Sequence, residues 1–99
     1  MNTTPKTALV TGASSGIGKA LAAEFAADGY NLVLAARGVA KMQALADELQ
    51  RQHGIQVTVI GADLEAADGA ARLHADIRAR GITLHAVVNN AGYGAFGEF

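Results

Sequence analysis

Cysteine is absent from this 99-residue chain, which excludes a disulfide framework and a thiolate metal site alike. No charge sign dominates: eight Lys and Arg stand against nine Asp and Glu, a formal net charge of −1. A nucleic-acid footprint needs a basic stripe, and the scattered charges form none. No apolar run approaches the ~18 residues of a membrane span. The opening MNTTPK is polar and does not read as a secretory leader. The expectation is a soluble, cytoplasmic protein with neither nucleic acid nor membrane as a partner. Proline occurs once, at Pro5, ahead of the first apolar run, where it removes no ladder bond. Histidine occurs at His53, His74 and His85, too far apart for the local clustering of metal ligands, so these read as surface or sheet residues.

What is present is apolar. Hydrophobic residues make up 51% of the chain, enough for one domain's core, although so short a chain buries only a moderate share of its surface. One unit recurs. TALVTGA (Thr7–Ala13) has the length of a strand, and Ile17, Leu21 and Phe25 then mark one face of a helix. Gly29 comes next, then the run NLVLAA (Asn31–Ala36). Met42, Leu45, Ala46 and Leu49 mark a second helix that Gly54 closes. QVTVIGA (Gln56–Ala62) is a third strand, and Leu73 and Ile77 lie on a third helix, with Ala70 and Ala71 favouring that state. Gly81 ends it, and LHAVVNNAG (Leu84–Gly92) contains a fourth strand. Gly29, Gly54 and Gly81 each stand where a left-handed C-cap ends a helix before a strand. The order β-α-β-α-β-α-β predicts an open α/β sheet, and strands that are apolar runs rather than alternations predict a parallel one covered on both faces.

The stretch TGASSGIGK (Thr11–Lys19) carries more glycine than a strand-to-helix turn requires. A nucleoside triphosphate P-loop does not fit, because Ala13 stands where its first glycine belongs and Ala20 where its magnesium-binding hydroxyl belongs. A dinucleotide loop fits better: the helix opening near Gly16 offers unpaired N–H groups and a positive dipole end to a pyrophosphate. The spacing is GxxxGxG, with Ser14 and Ser15 inside the loop. Their hydroxyls can donate to phosphate oxygens, and Ser15 is equally suited to cap the helix.

TGASSGIG, ADL (Ala62–Leu64) and NNAG (Asn89–Gly92), in that order, resemble the motifs of the short-chain dehydrogenase/reductase family. The likeness spans nearly the whole chain, and YGAFGEF (Tyr93–Phe99) is similar to the segment after NNAG in some members. It implies a Rossmann-type doubly wound parallel sheet of strand order 3-2-1-4. Residues 1–99 would be the N-terminal part of a single NADP(H)-binding domain. By the same resemblance Gly12, Ser14, Ser15, Gly16, Ile17 and Gly18 line the pyrophosphate, Asp63 accepts from the adenine amino group and Leu64 packs near the ring. Asn90, Ala91 and Gly92 face the cofactor, and Asn89 braces the sheet. On residue type alone Asp63 also suits the N-cap of the third helix, and Leu64 suits the core.

The choice of nicotinamide coenzyme is read about 20 residues past the glycines, where an acid accepts from the ribose 2′-OH and an arginine accommodates a 2′-phosphate. The second strand ends Leu34-Ala35-Ala36-Arg37, with Ala36 in the acid's place and a guanidinium next to it. A guanidinium matches phosphate oxygens bidentately, so NADP(H) is expected over NAD(H), while Lys41 reads as surface. The family's catalytic Tyr-x-x-x-Lys is not found: Leu34 stands four residues after Tyr30, and Gly97 four after Tyr93. Tyr30 reads as packing, while Tyr93 and Phe96 fit either an approach to the nicotinamide or a loose tail.

The expectation is therefore the cofactor-binding portion of an oxidoreductase that moves a hydride between nicotinamide and a carbonyl or alcohol substrate. The catalytic half would lie beyond Phe99, and the parent would be a homo-oligomer. On its own, the fourth strand would be an apolar edge and the chain weakly stable or self-associating. The alternative is a non-catalytic dinucleotide-binding module, a sensor or an interaction domain.

Overall fold

The computed structural model describes residues 5–12, 16–63 and 66–88. The elements alternate along the chain: β1 (Thr7–Thr11), α1 (Gly16–Ala27), β2 (Asn31–Ala36), α2 (Val39–His53), β3 (Val57–Gly61), α3 (Gly69–Ala79) and β4 (Ala86–Val88). The strands form one parallel sheet in the order β3-β2-β1-β4. Thr7–Thr11 register with Asn31–Ala35, Ala8–Val10 with Ala86–Val88, and Leu32–Ala36 with Val57–Gly61. The fold class and strand order are those expected. Among the described residues no helix is long and apolar enough to cross a membrane.

Pleating divides the core in two. Ala8, Val10, Leu32 and Leu34 point to one face and meet Ala22 and Ala26 of α1 and Met42, Ala46 and Leu49 of α2. Leu9, Val33 and Ala35 point to the other face with Ile60, and meet Leu73 and Ile77 of α3. The two central strands are thus buried on both sides, which is why their sequences are unbroken apolar runs. Each fully buried Leu or Val contributes roughly 1.5–3 kcal/mol against exposure. The edge strands β3 and β4 are mostly half-buried.

The helix ends are set by glycine. Gly29 has φ 85°, Gly54 φ 69° and Gly81 φ 74°, a region that costs an L side chain energy. After α1 the Gly29 N–H donates to Ala26 O (2.9 Å) and the Tyr30 N–H to Phe25 O (3.0 Å), a Schellman pair. The apolar contact of that motif is Phe25 against Tyr30, edge to face with centroids 5.0 Å apart. After α3 the Gly81 and Ile82 N–H groups repeat the pattern onto Arg78 O and Ile77 O (3.0 and 3.2 Å). Tyr30 therefore packs, as expected, but as the lock on the end of α1, one residue before β2 begins.

One expectation needs correction. The stripe Ile17, Leu21, Phe25 is not the face α1 buries. The buried line is Gly18, Ala22, Ala26, one position further round the helix, with Leu21 and Phe25 half-buried beside it and Ile17 67% exposed. Large side chains mark a helical face in sequence, but here the smallest ones seat it, and they let the helix lie close to the sheet.

Side chains tie the amino-terminal rim of the sheet. His85 Nδ1 accepts from the Thr7 N–H (3.1 Å) while the His85 backbone N–H donates to Thr7 O (2.8 Å). Asn31 Oδ1 accepts from the Gln56 N–H and Gln50 Oε1 from the Val57 N–H, both at 2.9 Å. His85 is thus a sheet brace, and no group of metal-ligating side chains occurs among the described residues.

Candidate nucleotide-binding edge

The candidate site lies along the carboxyl ends of the strands, which the backbone fastens in a row. Beyond Thr11 the Gly12 N–H donates to Ala35 O (2.9 Å), carrying the β1–β2 ladder one step past the strand. The Ala62 N–H does the same to Ala36 O (3.1 Å), fixing the end of β3 to the end of β2. On the other side the Thr11 hydroxyl donates to Val88 O (3.3 Å), a bridge from β1 to β4 that glycine-loop reasoning did not single out. Strand order reverses between β1 and β4, and ligands of open α/β sheets bind outside the carboxyl ends at such a reversal.

Gly12 has φ 64°, so its contribution is the left-handed bend that turns the chain off β1. Its N–H is committed to Ala35 O and so is not offered outward from the loop. α1 opens at an exposed Gly16, carries no acidic residue in its first turn, and seats Gly18 in the interior. The positive end of its dipole is therefore not offset by its own side chains. Lys19, in the same turn, is exposed and adds a cation.

Next along the rim, β2 ends at Ala36 and the chain turns at once. The Val39 N–H donates to Arg37 O (3.0 Å) around Gly38, whose φ of −83° and ψ of 78° are those of an inverse γ-turn. α2 starts directly from this turn with no side-chain cap and no acid in its first turn. Arg37 is exposed. The two ion pairs among the described residues are Arg72 with Asp68 (3.0 Å) and Arg80 with Asp76 (2.7 Å), so no described carboxylate engages the Arg37 guanidinium.

Asp63 is exposed, two residues beyond β3, and its carbonyl accepts from the Ala66 N–H (3.2 Å). α3 begins at Gly69 with Asp68 as N-cap, so Asp63 does not cap that helix. A hollow of about 230 Å³ opens between the end of β3 and the start of α3, lined in part by Ile60, Asp63, Asp68, Arg72 and Asp76. Of the predicted site residues that are described, Asp63 alone lines it. Its carboxylates make it a poor seat for a phosphate and a compatible one for a group that donates hydrogen bonds.

The structure thus brings Gly12, Gly16, Ile17, Gly18, Arg37 and Asp63 to the same end of the sheet. Ser14, Ser15, Leu64, Asn90, Ala91 and Gly92 lie outside the described residues, as do Asn89, Tyr93 and Phe96. Sequence reasoning missed Thr11, and it missed Gly61, where an added Cβ would stand 2.9 Å from Val39 Cγ2. No local pattern marks either, because both are defined by what a neighbouring element does.

Residues 6–99 match the family model described as short chain dehydrogenase. The chain is 42% identical over 93 residues to the uncharacterized oxidoreductase YmfI of Bacillus subtilis, covering 93% of this chain and 37% of that protein. It is similar in structure to a bulky-bulky ketone specific alcohol dehydrogenase from Comamonas testosteroni, with 40% identity and TM-score 0.82, covering 98% of this chain and 38% of that one. The L-sorbose reductase of Gluconobacter frateurii, solved with NADPH and L-sorbose, aligns with TM-score 0.84 and 35% identity over 93% of this chain and 35% of its own. The chain thus spans between a third and two fifths of the length of these relatives.

Proposed function

The chain belongs to the short-chain dehydrogenase family, and from that premise we propose that it is the NADP(H)-holding portion of an oxidoreductase acting on a carbonyl or alcohol substrate. The observation that carries the coenzyme choice is Arg37. It is an exposed guanidinium at the carboxyl end of β2, beside Ala36 rather than an acid, with no carboxylate partner among the described residues. The Gluconobacter frateurii relative, solved with NADPH, supports the same reading.

The described residues fit such a coenzyme. The bend at Gly12 and the acid-free tip of α1 suit the pyrophosphate, through backbone N–H groups and the helix dipole. Arg37 suits a phosphate on the adenosine ribose, since its planar fork matches two phosphate oxygens at once. Asp63 suits the adenine amino group, which donates hydrogen bonds a carboxylate can accept. When bound, the coenzyme supplies or takes up the hydride. The work of these residues is to hold it by its charged and adenine ends against a fixed sheet edge. The carbonyl or alcohol substrate is part of the proposal for the whole protein and draws on the alcohol dehydrogenase and sorbose reductase relatives.

Equilibrium titration of the full chain with NADPH and with NADH tests the reading. The expected result is tighter binding of NADPH by at least about tenfold, equivalent to ~1.4 kcal/mol. Equal affinities, or no binding of either, would overturn it.

A further inference from the structure

We propose that Gly61 is a positioning residue for Arg37, and that the missing side chain at the end of β3 helps set the preference for a 2′-phosphorylated coenzyme. This rests on the function proposed above and assigns a role to a residue that touches neither phosphate nor ribose in that reading.

Gly61 is not explained by its own backbone, since its φ lies outside the left-handed region where Gly12, Gly29, Gly54 and Gly81 sit. Space explains it. A Cβ at this position would stand 2.9 Å from Val39 Cγ2, closer than carbon atoms pack. Val39 is the first residue of α2 and closes the inverse γ-turn, its N–H bonded to Arg37 O. β3 cannot retreat to make room, because Gly61 is in register with Ala36 and the Ala62 N–H is bonded to Ala36 O. Val39 has little freedom to turn aside, since a β-branched side chain is stiff at χ1 and the Val39 backbone is held by the first turn of α2 and the bond to Arg37 O. The remaining freedom is in the turn. Arg37 and Gly38 must shift together with Val39, and the guanidinium moves with its backbone.

Val39 is also notable for being open: with Ile17 it makes up the exposed large hydrophobics among the described residues, at 44% and 67%. Both stand in the first turns of helices that begin at the carboxyl edge. The Cγ2 methyl of Val39 thus lies over Gly61 while the Val39 backbone closes the Arg37 turn.

The test is titration of the full chain and three variants, Gly61→Ala, Val39→Ala and the double variant, with NADPH and NADH. Gly61→Ala is expected to weaken NADPH binding about tenfold while NADH changes less than about twofold, a selective loss that general destabilisation would not give. Val39→Ala keeps the space but removes the anchor, and should lower the NADPH-to-NADH preference in the same direction. The double variant, with a methyl on residue 61 facing the space left by valine, should recover NADPH affinity to within about threefold of the parent. Should Gly61→Ala fail to fold, Val39→Ala and the double variant still decide. Equal weakening of both coenzymes, an unchanged preference in the single variants, or no recovery in the double would overturn the role of Gly61. Absence of an NADPH preference in the unaltered chain would overturn the functional reading beneath it.

Discussion

α1 and α3 both leave the carboxyl edge of the same sheet, yet they are built on opposite plans. α1 seats itself with Gly18, Ala22 and Ala26 and has no acid in its first turn. α3 seats its tip with Gly69 but its body with Leu73 and Ile77, and its N-cap is Asp68, whose carboxylate pairs with Arg72. A helix packed through glycine and alanine lies close to its strand and brings its positive end to the rim. Beneath the body of α3 lie the larger Leu73 and Ile77, and the Asp68 carboxylate puts a negative charge near its positive end. Parallel α/β architecture supplies several helix N-termini along one edge. In the function proposed above the anion goes to α1, whose first turn is acid-free, and not to α3, whose N-cap is an aspartate. The neighbouring turn widens the contrast, for Arg37 is exposed without a described carboxylate partner while Asp63, Asp68 and Asp76 gather on the α3 side.

The division between the two helices is tested most strongly at its packing. Leu73 is buried in the α3 face of the core, so Leu73→Ala removes apolar contact and leaves a cavity. The expected loss is about 3 kcal/mol in a urea transition, with the NADPH-to-NADH preference unchanged. A change in that preference would mean that the two helices are not independent. Arg37→Asp acts on the other side. It replaces an exposed cation with an acid that accepts from a ribose 2′-OH and repels a 2′-phosphate. NADPH should bind about 100-fold more weakly, ~2.7 kcal/mol, while NADH is held or improved and stability barely moves. An unchanged NADPH dissociation constant in a binding titration would remove Arg37 from the site.

The difference between the helices is only partly legible in the sequence. Strands β1 and β2 can be read as uninterrupted apolar runs because both of their faces are covered, and NLVLAA matches β2 residue for residue. Gly29, Gly54 and Gly81 can be read as helix ends because their φ values leave few other residues at ease. α3 is legible through Leu73 and Ile77, since large residues at helical spacing mark the buried face. α1 misleads for the same reason, because its large residues flank the contact and alanine carries no periodic signal of its own. At the site, Arg37 can be found from its distance past the glycines, a constraint within one βαβ unit. Gly61 cannot, because its constraint is the side chain of Val39 on another element. Thr11 is hidden likewise, since its partner Val88 is 77 positions away.

Overfilling the close contact probes the α1 side directly. Ala22 is fully buried between helix and sheet, so Ala22→Leu forces α1 outward. Overpacking of this kind costs about 2 kcal/mol in a urea transition. The displaced tip of α1 should weaken NADPH and NADH by the same factor, since the pyrophosphate is common to both. That equality separates it from Arg37→Asp, and a selective loss of NADPH would show that α1 does not serve the shared part of the coenzyme.

The smallest effect is expected at the tip of α3. Asp68 stands at its N-cap without a side-chain capping bond, and its carboxylate turns to Arg72 at 3.0 Å on an open surface. Two terms act there, a charge at the positive end of a dipole and an exposed ion pair, each worth only a few tenths of a kcal/mol in water. Asp68→Asn removes the charge and keeps an oxygen that can cap. The expected loss is therefore about 0.5 kcal/mol at low salt, shrinking toward zero in 1 M salt, where charges are screened within ~3 Å. Paired urea transitions at the two salt concentrations read this directly. Because Asp68 stands at a helix end that the coenzyme is not asked to use, the affinities for NADPH and NADH should stay within about twofold of the parent. A marked gain in NADPH affinity on losing this carboxylate would mean that α3 also faces the phosphates, and the division of labour between the two helices would fail.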